Sequence, residues 1–121
     1  ARLHEDGRRF DTFALSAEAL ATALAAVRVL ERAGWAQVHA RAATLAARLA
    51  EMLDSVERET TPRANSTLVS FASSDAVAER ARLAEQSIVL RDVPGRPWLR
   101  ASVGAWNDES DLERLLTALR E

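Results

Sequence analysis

A chain of 121 residues, 48% hydrophobic and 28% charged, has the composition of one globular domain with a modest core. Its net charge of −2 offers no broad basic surface for nucleic acid, and no apolar run approaches membrane-spanning length. The chain has no cysteine, which excludes disulfides and thiolate chemistry, and its sixteen basic residues are all arginine, so no lysine can form a Schiff base.

The first fifteen residues are polar and irregular, with Gly7 in their middle. We interpret residues 1–15 as a linker or arm, and residues 16–121 as one small domain. Ser16 can cap a helix, because its side-chain oxygen can accept a hydrogen bond from the first turn. Apolar residues then recur at helical spacing, which predicts a helix from Ala17 to Ala33.

A second helix follows the first after a tight turn. Gly34 can end the first helix, since glycine readily adopts the left-handed conformation that a helix end often requires. The pattern from Trp35 to about Asp54 is again helical. Its apolar stripe comprises Val38, Ala42, Leu45, Leu49, Met52 and Leu53.

Short strands are predicted in the middle of the chain. Residues 66–72, STLVSFA, alternate between apolar and other side chains in the manner of a strand. Residues 56–60 give a weaker pattern that we interpret as a short edge strand. Residues 87–92, SIVLRD, form another strand pattern, and the proline and glycine residues in 94–97 predict a turn.

Two shorter helices complete the pattern. Ser73 or Ser74 can cap the first, which should end near Glu85 and has Asp75 in its first turn. Asn107 can cap the second, and acidic residues in its first turn suit the positive end of a helix dipole. Its apolar stripe comprises Leu112, Leu115, Leu116 and Leu119.

The last strand pattern directly precedes this final helix and has two unlike faces. Leu99, Ala101 and Val103 form an apolar face that should pack against the helices. The opposite face comprises Trp98, Arg100 and Ser102.

The order of elements predicts an α+β fold with a small, mostly antiparallel sheet of three or four strands and helices packed on one face. The other face should then be free and should carry Arg100. A strand can hold the planar guanidinium in a fixed position, where it would bind a carboxylate through two parallel hydrogen bonds. The alternative interpretation is a surface arginine whose stem rests on Trp98.

The segment from Arg100 to the final helix resembles the C-terminal end of class V aminotransferase-type enzymes, which depend on pyridoxal phosphate (PLP). These include cysteine desulfurases, selenocysteine lyases, isopenicillin-epimerase-like proteins and related C–S lyases. The resemblance rests on the order Arg100, Ser102, Trp106, Asn107 and an acidic helix start, and it extends over residues 7–121. It implies that Arg100 receives the substrate carboxylate. Relatives often have tyrosine where this chain has Trp106.

Arg91 is the second candidate for substrate binding. It ends the IVLR pattern, which resembles the strand before the active-site loop of the family, where desulfurases place an arginine that approaches the substrate. Desulfurases also carry a cysteine in the following loop, whereas this loop is short and has none, so it is nearer to epimerase-like and C–S-lyase-like members. An ion pair between Arg91 and Asp92 or another neighbour is the alternative.

The resemblance implies that this chain is the small C-terminal domain of a fold-type-I PLP enzyme whose large domain is missing here. The parent would be a cytoplasmic homodimer that acts on an amino acid by transamination, C–S lysis or epimerisation. PLP would be bound in the parent and not by this chain alone, which lacks the Schiff-base lysine and should not catalyse. We assign no cofactor-binding residue and no metal site. A free-standing, non-catalytic α+β binding or dimerisation module is the alternative.

Overall fold

The computed structural model describes residues 5–6, 16–60 and 66–120. The chain divides into two compact units, Ala1–Trp35 and Ala36–Glu121. Most of the predicted linker at residues 1–15, and part of the polar stretch before the first strand, lie outside the described residues. No helix within the described ranges is long and apolar enough to cross a membrane.

The first unit contains helix α1, Ala17–Ala33, with the bounds that the sequence predicts. The Ser16 side chain accepts a hydrogen bond from the Ala19 N–H at 3.1 Å, and Gly34 ends the helix at a φ of 85°. No residue of α1 is buried. Its apolar stripe, which includes the half-exposed Leu20 and Leu24, is therefore largely open.

The second unit holds the remaining elements, apart from the first residue of α2, in the predicted order. They are α2 (Trp35–Asp54), β1 (Leu68–Ala72), α3 (Ala76–Glu85), β2 (Arg91–Asp92), β3 (Trp98–Ser102) and α4 (Glu109–Leu119). The strands form one antiparallel sheet in the order β1-β3-β2, so the final strand is central. The α+β prediction is confirmed, with three strands.

The core lies on one face of this sheet. Leu99 and Phe71, direct partners in the β1–β3 ladder, are both fully buried, and Ala101 and Val103 continue the same face. They pack in one cluster with apolar residues of the helices, namely Leu45, Leu49, Leu53, Leu83, Leu112, Leu115, Leu116 and Leu119. The predicted orientation of the last strand is therefore confirmed.

Two strand predictions are wrong in extent. Residues 87–92 form a strand only at Arg91–Asp92, because the Ile88 N–H is bonded to the Leu83 carbonyl at the end of α3 rather than to β3. The edge strand predicted at residues 56–60 is reduced to a single bridge between Thr60 and Phe71.

The predicted caps of the two later helices also shift by a residue. Asp75, not Ser73 or Ser74, caps α3, and its carboxylate accepts from the Ala78 N–H at 3.0 Å. Asp108, not Asn107, caps α4. In both places an aspartate next to the predicted cap has a carboxylate in reach of the first-turn N–H groups, which a carboxylate binds strongly.

The start of α4 is a reciprocal capping box. The Asp108 carboxylate accepts from the Asp111 N–H at 3.1 Å and from the Ser110 hydroxyl at 2.7 Å, while the Asp111 carboxylate accepts from the Asp108 N–H at 3.3 Å. The Ser110 hydroxyl, and then the Asp111 N–H, hold the pKa of Asp108 below its ordinary value of 3.8. The ionised form of Asp108 is thus the one that the folded state favours.

The lowered pKa of Asp108 predicts that this capping box stabilises the fold less at acidic pH. Because the folded pKa is depressed, the contribution to stability is present above the ordinary value of 3.8 and is lost as the pH falls through the folded value. Asp108→Asn keeps a capping side chain but cannot titrate, so its melting temperature should fall less than that of the wild type on acidification. Asp54→Asn, which removes one exposed carboxylate at the end of α2, is the matched control for the change in net charge. An unchanged pH profile in Asp108→Asn would contradict the assignment.

Candidate functional site

The open face of the sheet carries a row of three polar side chains across all three strands. Arg100 lies in the central strand, and its Cα partners are Ser70 on β1 and Arg91 on β2. Directly opposite residues project from the same face of a sheet, so the three side chains stand side by side. We call Ser70, Arg100 and Arg91 the arginine row. The sequence predicted the face of Arg100 but not its pairing with Arg91.

Arg100 has an unsatisfied donor. Its neighbours Leu99 and Ala101 are buried on the other face, which fixes the backbone on both sides of it. The side chain is half-buried, and its Nε is shielded from solvent without a hydrogen-bond partner among the described residues. A buried donor left without a partner costs about 1–3 kcal/mol, and more when it is charged, so a position of this kind is suited to an anionic ligand.

Arg91 is exposed at the edge of the sheet. The alternative of an ion pair with Asp92 is not what the structure shows, since Asp92 is the partner of Leu99 in the ladder and therefore lies on the core face. There its Oδ1 is 3.3 Å from Nε of Arg80 on α3. Within the described residues, no carboxylate forms an ion pair with either arginine of the row.

Arg58 is an arginine with a structural role, and its guanidinium group can be compared with that of Arg100. Its Nη2 is 2.8 Å from Oε1 of Glu79, and its Nη1 donates to the Ala72 carbonyl at 3.2 Å. This half-buried pair joins the segment before β1 to α3. By contrast, Arg100 forms no ion pair in the described part of the chain, and its Nε has no hydrogen-bond partner there.

The loop after β3 is held by contacts that the sequence analysis missed. Arg41 on α2 donates from Nε to the Ala105 carbonyl at 2.8 Å and from Nη2 to the Asn107 carbonyl at 3.0 Å. Asn107 accepts from the Gly104 N–H at 2.8 Å and donates to Asp111 at 2.9 Å. Asn107 therefore ties the turn to the helix instead of capping it. Arg41 lies more than sixty positions away, so no local pattern could reveal its role.

Trp106 covers the backbone of this loop. A Cβ added at Gly104 would lie 2.2 Å from the Trp106 ring, so the ring rests directly on the glycine and leaves no room for a side chain. Gly104 is buried although Trp106 itself is 83% exposed. The loop that leaves the Arg100 strand is thus fixed by Arg41, Asn107 and this aromatic cover together.

The arginine row suits an anionic group, and the chain has no covalent anchor for a cofactor. The chain has no lysine with which to hold PLP covalently. Within the ranges that the structure describes, no group of three or more histidine and acidic side chains could hold a metal ion. What the site offers is a pair of guanidinium groups and a hydroxyl, all hydrogen-bond donors.

No protein-family model and no curated protein sequence matches this chain, but solved structures do. The apo cysteine desulfurase of Thermococcus onnurineus NA1 is 24% identical, with a TM-score of 0.80 over 98% of this chain and 34% of the desulfurase. A C-DES variant with glycine linked covalently to its PLP cofactor is 24% identical, with a TM-score of 0.83 over 95% of this chain and 32% of its own. The serine palmitoyltransferase of Sphingomonas wittichii is 25% identical, with a TM-score of 0.71 over 92% of this chain and 30% of the transferase.

This chain spans about a third of the length of these neighbours. The neighbours are PLP-dependent enzymes of fold type I, the class that the resemblance of the C-terminal segment predicts. Structural matches at identities near 24% establish the shared fold. They do not assign the activities of the neighbours to this chain. The chain therefore has the fold of a domain from the fold-type-I, aminotransferase-like PLP enzymes.

Proposed function

We propose that this chain is the small C-terminal domain of a PLP-dependent, class V aminotransferase-like enzyme, and that Arg100 binds the α-carboxylate of its amino-acid substrate. The observation that carries the proposal is the shielded Nε of Arg100 on the open face of the central strand, which has no hydrogen-bond partner among the described residues. The shared fold supports it, since the matched neighbours include a PLP enzyme with an amino acid linked to its cofactor.

The chemistry divides between this chain and the rest of the enzyme. PLP, held by a lysine outside this chain, would supply the electron sink for the reaction. Arg100 would hold the carboxylate through two parallel hydrogen bonds and so fix the orientation of the substrate. Ser70, directly opposite on β1, can add a hydroxyl donor. Arg41 would act as a positioning residue, because it fixes the loop that follows the Arg100 strand.

The reaction type stays among transamination, C–S lysis and epimerisation. The connection between β2 and β3, residues 93–97, contains no cysteine that could accept a sulfur atom, which disfavours cysteine desulfuration. The proposed parent is a cytoplasmic homodimer in which a separate large domain carries the cofactor. The large domain would pack against this chain.

Borohydride reduction in the presence of PLP tests where the cofactor is held. Because this chain has no lysine, the 121-residue chain should acquire no stoichiometric, reducible adduct at any internal residue. The longer protein that contains it should acquire one adduct per subunit, at a lysine outside these residues. Peptide mass spectrometry locates the adduct, and labelling of a terminal amine is not counted. A stoichiometric adduct at an internal residue of this chain would contradict the proposal.

The alternative of a free-standing, non-catalytic module is distinguished by the coding sequence upstream of Ala1. The proposal expects a large PLP-binding domain with its lysine in the same reading frame. A start codon immediately before this chain, with no PLP domain encoded, would favour the free-standing module.

A further inference from the structure

Arg91 and Arg100 place two positive charges side by side on the open face. Their Cα atoms are direct partners in the β2–β3 ladder, so both side chains leave the same face of the sheet. Like charges in directly opposite positions destabilise a sheet. An anionic ligand bound between Arg91 and Arg100 would offset this repulsion.

Two acidic side chains of neighbouring elements are engaged elsewhere. Asp92 lies on the core face with Arg80, and Glu79 pairs with Arg58 at the other edge of the sheet. Ser70, the remaining member of the row, is neutral. Within the described residues, the row thus carries two positive charges, and no carboxylate forms an ion pair with either of them.

An amino acid supplies only one negative charge through its α-carboxylate. Arg100 is the better partner for that group, because it is half-buried and its Nε has no other acceptor among the described residues. Arg91 would then stand beside the bound substrate without a counter-charge. A neutral substrate side chain would leave the charge of Arg91 unpaired, and a basic side chain would be repelled by it. An acidic side chain would form a second ion pair with Arg91.

Resting on the function proposed above, we infer that the substrate is an acidic amino acid of the aspartate or glutamate type. Its α-carboxylate binds Arg100 and its side-chain carboxylate binds Arg91. Arg91 is then the residue that determines specificity, whereas Arg100 is required for every amino acid. This division of roles separates the test of the inference from the test of the proposed function.

The test compares isosteric substrates in the PLP-loaded protein that contains this chain. Aspartate and asparagine differ in charge but hardly in size, as do glutamate and glutamine. We expect kcat/KM to favour the acid of at least one pair by about ten- to a hundredfold, the range of a hydrogen bond to a charged group. Arg91→Gln should remove most of that preference, and Arg48→Gln, which changes an exposed arginine on α2, should keep it.

Inhibition gives a second measurement that does not depend on turnover. Succinate or glutarate should inhibit more strongly than butyrate in the wild type, and Arg91→Gln should bring their inhibition constants together. The inference is overturned if neither acid is preferred, or if Arg91→Gln lowers acid and neutral substrate by the same factor. If Arg100→Ala leaves every amino acid unaffected, the proposed function itself fails.

Discussion

Replacing Leu99 by alanine is expected to lower the free energy of unfolding by about 2–5 kcal/mol. Leu99 has no exposed surface, lies in the central strand and is the direct partner of the equally buried Phe71. The strand is fixed on both sides by other strands, so the surroundings can collapse little around the missing atoms. Since domains are stable by about 5–15 kcal/mol in total, this one change removes a large share of the stability. Urea denaturation measures it.

Leu68→Ala is the matched control for this experiment. Leu68 lies on the neighbouring strand β1 but on the open face, and 36% of it is exposed. We expect a much smaller loss, because fewer of its atoms leave water on folding. Equal losses in the two variants would contradict the assignment of the core to one face of the sheet, and with it the position of the arginine row on the opposite face.

Arg100→Ala in the full enzyme is expected to lower kcat/KM for the amino acid by about 30-fold to several thousandfold. Truncation of one partner of a hydrogen-bonded charge pair in a desolvated site costs about 2–5 kcal/mol, and each 1.4 kcal/mol is a factor of ten. Arg100→Lys should also be impaired, because lysine keeps the charge but loses the planar fork. The absorbance of bound PLP should be unchanged, since Arg100 is not proposed to hold the cofactor.

Steady-state kinetics of the two variants provide the measurement. A normal cofactor spectrum separates a loss of substrate binding from a loss of folding. Variants that turn over the amino acid as well as the wild type would leave Arg100 with only a surface role.

The helices were the most predictable part of this chain. Ser16 and Gly34 delimit α1 through conformations that those residue types favour, and the apolar stripe of α2 is long enough to fix its bounds. β2 was less predictable, because the pairing of residues 87–90 depends on the competing bond from Ile88 to the end of α3. Such a bond depends on tertiary contacts that strand propensity does not contain.

The candidate site was predictable only in part. Alternation along β3 determined the face of Arg100, because a period of two assigns each side chain to one side of the sheet. The partnership of Arg100 with Arg91 depends on the register set by the turn between the strands, and Arg41 reaches the loop from a distant helix. Neither relation leaves a pattern in the local sequence.

The most direct test of the account compares an amino acid with the amine that lacks its α-carboxylate, in wild type and in Arg100→Ala. If Arg100 binds the carboxylate, the substitution should lower kcat/KM strongly for the amino acid and little for the amine, so that the preference between them collapses. If kcat/KM falls by the same factor for both substrates, or for neither, Arg100 does not bind the carboxylate and the central claim is wrong.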